Sequence, residues 1–264
     1  MRLGFIGAGN MAQAMIGGIL AKEIVKKEDI IASAATQKTI DKVAKEFGIN
    51  VTLDNREVAK ADIVFLAVKP FYYEEVIDGI KDVVDEKQLI ISVAAGKSVE
   101  WVENAFGGKK KIVRIMPNTP ALVGEAVTAI CPNANITDGE KQEIVELIAS
   151  FGLAQIVSEK IMDAVIAVSG SSPAYVFMFI EAMADAAVAE GMPRVQAYQF
   201  AAQSVLGSAK MVLETGKHPG ALKDDVCSPG GTTIYAVSVL EEYGLRNAVI
   251  KACDACYEKC IDLK

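Results

Sequence analysis

Apolar positions along this chain keep two different rhythms, and the change falls near Glu159. Before it, short unbroken apolar runs alternate with segments of helical period. Strands are predicted at residues 2–6, 30–32, 49–52, 62–68, 89–93, 112–116, 127–131 and 154–157. Helices are predicted between them at 11–22, 39–47, with Gly48 closing the helix, and 140–151. The run Ile63-Val64-Phe65-Leu66-Ala67-Val68 is apolar throughout, as a strand covered on both faces should be. Strands alternating with helices predict an α/β, doubly wound and largely parallel Rossmann-like sheet. After residue 161 no strand pattern remains. Helices are predicted at 173–189, 195–213, stopped by Gly216 and Pro219, 234–243 and 245–261. The expected organisation is a dinucleotide-binding domain over 1–159 and an all-α domain over 160–264.

The helix at 173–189 is apolar nearly all round, with Ala174, Val176, Phe177, Met178, Phe179, Ile180, Ala182 and Met183. Such a helix must be buried on most sides. The piece that carries it is too small to do this alone, so burial by a partner chain is expected. No stretch approaches the ~18 apolar residues of a membrane span. The N-terminus has no signal-peptide pattern, which points to a cytoplasmic protein.

Composition narrows the chemistry. In 264 residues, 52% are hydrophobic and the net charge is −7, which argues against disorder and against a nucleic-acid or membrane-surface partner. Lys109-Lys110-Lys111 reads as a solvated turn. Five cysteines do not form a secreted framework. Cys253, Cys256 and Cys260 share a helix face and read as small packing residues, so no metal is expected. His218 is the only histidine and lies in a turn-like stretch near a helix end, which excludes multi-histidine metal sites.

Two segments carry candidate chemistry. Gly7-Ala8-Gly9-Asn10-Met11-Ala12 follows the first strand and opens a helix, the G-x-G-x-x-A form of the dinucleotide fingerprint. No carboxylate ends the second strand, where an NAD enzyme usually binds the ribose. Ser33, Thr36 and Lys38 stand there instead and suit a 2′-phosphate, so NADPH is expected, with NADH possible. The mouths of later strands carry Ala67-Val68-Lys69-Pro70, Ala94-Ala95-Gly96 and Pro117-Asn118-Thr119-Pro120, where ligands of open α/β sheets bind. Lys69 is expected to line the cleft, and Asn118 is stiffly presented between prolines. The second segment, Ser228-Pro229-Gly230-Gly231-Thr232-Thr233, opens an apolar helix. A glycine-lined helix start offers free N–H groups to a small carboxylate or phosphate.

Together with Phe65–Pro70, Ile115–Pro120 and Ser169-Gly170-Ser171-Ser172-Pro173-Ala174-Tyr175, these segments resemble the pyrroline-5-carboxylate reductases, over essentially the whole chain. The resemblance implies NAD(P)H-dependent reduction of 1-pyrroline-5-carboxylate to L-proline, and a homodimer of exchanged helices that can build larger rings, commonly decamers. It places Gly7, Gly9, Asn10, Met11, Ser33, Asn55, Ala67, Val68, Lys69, Pro70, Ala95, Gly96 and Asn118 at the cofactor. It places Ser228, Gly230, Gly231, Thr232 and Thr233 at the substrate, with the Thr233 hydroxyl near the ring nitrogen as the catalytic group. A protonated imine is already electrophilic, so positioning and electrostatics suffice. One departure stands out: the family usually has glycine where this chain has Ser172, a strained position if that glycine needs a positive φ. Alternatives are a related imine reductase, a β-hydroxyacid dehydrogenase, which needs a lysine that residues 169–191 lack, and a non-catalytic NADP-binding regulator.

Overall fold

The computed structural model describes residues 1–262. The described residues divide into two units: Met1–Ser171 with residues 256–262, and Ser172–Ala255.

In the first unit the elements run β1 (Leu3–Ile6), α1 (Asn10–Ala21), β2 (Ile30–Ser33), α2 (Gln37–Phe47), β3 (Asn50–Thr52), α3 (Asn55–Val58) and β4 (Ile63–Leu66). Then come α4 (Tyr73–Ile80), β5 (Leu89–Ser92), α5 (Val99–Ala105), β6 (Lys111–Met116), β7 (Ala126–Pro132), α6 (Asp138–Ile148), β8 (Gly152–Ile156) and α7 (Met162–Val165). The eight strands lie in the order β3-β2-β1-β4-β5-β6-β7-β8. All neighbours are parallel except β6 and β7. Strands β1, β2, β4 and β5 are buried at every residue, which explains their unbroken apolar sequence. Alternate side chains feed two cores. Phe5, Phe65, Ile91, Met15 and Phe151 fill one face; Leu66, Ile90, Ile112, Tyr73 and Met162 fill the other. Phe5 and Phe65 stack at 4.4 Å across the β1–β4 pair.

The crossover between β1 and β4 is the point at which the strand order reverses, and it sets the crevice beside Gly7. Helix α1 lies tight on this sheet: a Cβ on Gly18 would collide with Phe151 Cβ.

The second unit is helical. It holds α8 (Ser172–Ala189), α9 (Arg194–Thr215), α10 (Pro219–Val226), α11 (Thr232–Glu242) and the start of α12 (Leu245–Asp262). Gly216 ends α9 in the left-handed region at φ +63°. Pro219, expected as a stop signal, is the first residue of α10, where a missing N–H costs nothing. His218 caps that helix, its Nδ1 accepting the Gly220 N–H at 3.0 Å. Helices α3, α4, α5, α7 and α10 have no counterpart among the expected elements.

Two further expectations change. The helical run Glu159–Ala189 is long and apolar enough to cross a membrane by length and composition, although Ser and acidic residues interrupt its apolar stretches. The lysine run is only partly solvated: Lys110 Nζ donates to the Val84 carbonyl at 2.6 Å and Lys111 pairs with Glu140 at 2.5 Å.

Candidate functional site

Gly7 leaves β1 at φ +96°, a conformation that side chains resist. A Cβ there would sit 2.8 Å from the Ala67 carbonyl oxygen, so glycine lets the ends of β1 and β4 approach. Gly9 is the N-cap of α1; no side chain caps the helix, and a Cβ at Gly9 would meet nothing within 4 Å. Bare N–H groups and a positive helix end therefore face open space. Asn10 is exposed, Met11 half-buried, and Ala12 fully buried where the helix meets the sheet. Gln13 braces the turn, donating to the Ala8 carbonyl at 2.7 Å. This cradle fits a pyrophosphate.

Beside it lies a cleft of about 240 Å³, lined by Gly7, Ala34, Ala35, Leu53, Asn55, Val68, Tyr72, Glu75 and Val76. Asn55 opens α3 and half faces this cleft. Ser33 is buried, and its hydroxyl donates to Asn55 Oδ1 at 2.6 Å. It therefore orients Asn55 and offers no outward hydroxyl for a 2′-phosphate. Thr36 caps α2, accepting the Thr39 N–H at 3.3 Å, and Lys38 is exposed in the first turn. Asp29 sits in the turn that precedes β2, at the strand's far end.

At the mouth of β4, Ala67 and Val68 are half-buried, while Lys69 and Pro70 are exposed. Pro70 begins a short 3-10 turn, and Lys69 Nζ lies 6.0 Å from the Phe71 ring. At the mouth of β5, Ala95 and Gly96 are half-buried, Gly96 at φ +75°. Asn118 is held in place as well as stiffly presented. Its side chain is buried, donates to the Ser169 carbonyl at 3.0 Å and accepts the Val127 N–H at 3.0 Å. It is a brace between backbone segments.

Sequence reading passed over Arg114, a lone charge in the apolar β6. It is 2% exposed and pairs with Glu159 at 2.9 Å. Glu159 also accepts the Val99 N–H at 2.8 Å, which ties the loop after β5 to the segment leading into α7. Arg114 Nε and Nη2 have no partner among the described residues.

In the second unit, Gly230 turns the chain at φ +68° and Gly231 is the N-cap of α11. The Gly231 N–H closes the turn on the Ser228 carbonyl at 3.0 Å. A Cβ on Gly231 would meet Ser228 Oγ, so a side chain there would force the serine hydroxyl to turn away. No side chain caps α11. Thr232 is its exposed first helical residue, and Thr233 is half-buried. The first N–H groups of an 11-residue helix thus stand without a side-chain acceptor. Ser172 is the first residue of α8 and is not among the residues with positive φ, so serine is unstrained there.

The three cysteines of α12 form no disulfide among the described residues. Cys256 Sγ lies 3.1 Å from Ser171 Oγ, and Cys260 is buried in the second core face. Among the described residues no group of His, Cys, Asp and Glu could hold a metal ion.

Residues 159–263 match the family model described as pyrroline-5-carboxylate reductase dimerisation. Residues 2–96 match the model described as NADP oxidoreductase coenzyme F420-dependent, which covers the glycine cradle. The chain is 51% identical to the pyrroline-5-carboxylate reductase of Escherichia coli over 98% of this chain and 96% of that one. It is 44% identical to the enzyme of the same name from Methanosarcina acetivorans over 95% of each chain. A solved structure of Plasmodium falciparum pyrroline carboxylate reductase with NADP bound superimposes at a TM-score of 0.91, with 34% identity, covering 100% of this chain and 98% of that one.

Proposed function

The chain belongs to the pyrroline-5-carboxylate reductase family, and from that premise we propose how its residues carry the reaction. The enzyme reduces 1-pyrroline-5-carboxylate to L-proline with a nicotinamide cofactor, which supplies the hydride. The observation that carries the assignment is the uncapped, glycine-shaped start of α11 in a chain of this family.

The glycine cradle at Gly7 and Gly9 holds the pyrophosphate through the N–H groups of Asn10 and Met11. The adenosine half lies in the cleft of Leu53, Asn55 and Tyr72, and the nicotinamide half against 67–70 and 95–96. With no carboxylate at the end of β2 and Lys38 in the first turn of α2, the site favours NADPH over NADH. In the second unit, the N–H groups at 232–234 receive the substrate carboxylate, in the loop shaped by Ser228, Gly230 and Gly231. The Thr233 hydroxyl would hold the ring nitrogen, leaving the adjacent imine carbon for the hydride that a bound nicotinamide would supply. The imine's own positive charge makes it electrophilic, so the protein's task is to orient it and offset its charges.

The same reading makes the protein a cytoplasmic homodimer. A further apolar groove of about 570 Å³ between α11 and α12, lined by Val237, Leu240, Leu245, Val249 and Ile250 among others, supports assembly of dimers into a ring such as a decamer.

The test combines an assay and a pair of variants. Purified protein should oxidise NADPH, and NADH less efficiently, in the presence of pyrroline-5-carboxylate, and form proline. Thr233→Val keeps the shape and removes the hydroxyl; a hydrogen bond to a charged group contributes about 1.5–3 kcal/mol, roughly one to two orders of magnitude in kcat/KM. Cofactor affinity should not change. Thr232→Val should leave both kcat/KM and stability near wild type, because Thr232 caps nothing. Full kcat/KM in Thr233→Val would remove this threonine from the substrate site.

A further inference from the structure

Two adjacent tyrosines have opposite surroundings. Tyr72 lines the cleft beside Gly7, whereas Tyr73, the first residue of α4, is completely buried. The Tyr73 hydroxyl sits between the ends of β4 and β5. It donates to the Leu66 carbonyl at 2.6 Å, accepts the Val93 N–H at 3.0 Å, and lies 3.2 Å from Ser92 Oγ. The Val93 N–H reaches the Leu66 carbonyl directly only at 3.3 Å. The β4–β5 pairing ends at Leu66 and Ser92, and the two chains then part into the loops 67–70 and 94–96. A hydroxyl at this fork gives the parting backbone groups a common partner and fixes how far the strand mouths stand apart.

We propose that Tyr73 is a positioning residue for hydride transfer: its hydroxyl sets the spacing of the β4 and β5 mouths, and so the seat of the nicotinamide half of the cofactor. This rests on the cofactor reading above. Burial pushes the Tyr73 pKa up to about 12, so the phenol stays neutral at working pH and keeps both its donor and its acceptor function. Nothing in the cradle at Gly9 depends on this hydroxyl. The expected defect is therefore confined to one end of the cofactor.

The decisive variant is Tyr73→Phe, which keeps the ring in the core. Widening or narrowing the strand mouths misplaces the nicotinamide and should lower kcat by about tenfold. The deuterium isotope effect on kcat with NADPH carrying two deuterons at nicotinamide C4 should rise, because a misplaced nicotinamide slows the hydride step. Affinity for ADP-ribose, which lacks the nicotinamide, should stay within about twofold of wild type. A merely structural tyrosine predicts a lower melting temperature with kcat and isotope effect unchanged per folded enzyme, and that result would overturn the proposal. So would an equal loss in Ser92→Ala, which leaves both backbone bonds of Tyr73 in place. Gly9→Asp separates the two layers of the argument: if it binds NADPH as tightly as wild type, the cofactor reading itself fails, whatever Tyr73→Phe does.

Discussion

The two units bury themselves to very different degrees. In the first, Phe5, Met15, Phe65, Tyr73 and Phe151 are all fully enclosed by the unit's own sheet and helices. In the second, the buried residues between α8 and α9 are Ala184, Ala197 and Ala201. Its large apolar side chains lie outside: Phe177 is 62% exposed, Phe200 68% and Leu213 77%. Alanines let two helices approach closely but bury little area, and each buried methylene contributes only ~0.8 kcal/mol. The first unit is thus stabilised by its own layers. The second matches a dimerisation family, and its uncovered apolar side chains suit burial by a second copy. The apolar run Glu159–Ala189 belongs to this logic: its composition suits a protein surface as well as a lipid one.

The sharpest way to break this contrast is Phe177→Glu. On a self-sufficient domain, an exposed glutamate changes stability by a few tenths of a kcal/mol. In a symmetric dimer each copy buries one uncompensated charge, at on the order of 3–5 kcal/mol each. The expected outcome is a shift from dimer to monomer in light scattering and loss of turnover. A variant that stays dimeric and active would show that this face is not the interface. Next in size is Gly18→Val, which tests the opposite unit. The valine collides with Phe151 in a packed core and should cost about 1–3 kcal/mol in denaturant unfolding, with oligomeric state unchanged.

The smallest effect comes from Glu140→Gln at the edge of the first unit. Lys111 and the Thr137 cap hold the Glu140 pKa down to about 2, against an ordinary 4.5. A depressed carboxylate stabilises the fold above its unfolded pKa and loses that contribution as pH falls through its folded one. The stability difference between wild type and Glu140→Gln should therefore be full above about pH 4.5 and vanish toward pH 2. The pair is partly solvated, so its full size is about 1 kcal/mol or less. A difference that is constant from pH 7 to pH 2 would contradict the pairing.

Much of the first unit was legible because parallel strands buried on both faces write continuous apolar runs, and because Gly7 and Gly9 have backbone reasons to be glycine. The second unit's helices were legible from their length, and their need for a partner from Phe177 and its neighbours. The misses have physical causes. Short α4 follows a 3-10 turn at Pro70 and begins on aromatics, so it carries no cap signature. Pro219 reads equally as an end or a beginning, and only the His218 cap decides. Ser33 and Asn118 read as polar residues at strand mouths, and their intramolecular partners could not be read from the sequence. Whether a polar group faces a ligand or a neighbouring segment depends on residues far away in sequence, Asn55 in one case and Ser169 with Val127 in the other. Arg114 was invisible for the same reason: its partner Glu159 lies on another element.

The thin core of the second unit has a consequence for how the protein is made. Synthesis runs from Met1 onward, and the sheet of the first unit is complete at Ile156, before any of Ser172–Ala255 has been made. At ribosomal speeds of about 5–20 residues per second, the N-terminal half has seconds in which to fold alone. On the dimer reading proposed above, the helical half then emerges with its phenylalanines uncovered and finishes folding on meeting another newly made chain. The yield of active enzyme should therefore rise more steeply than in proportion to the rate of synthesis, and neighbouring ribosomes on one message are the natural source of the second copy.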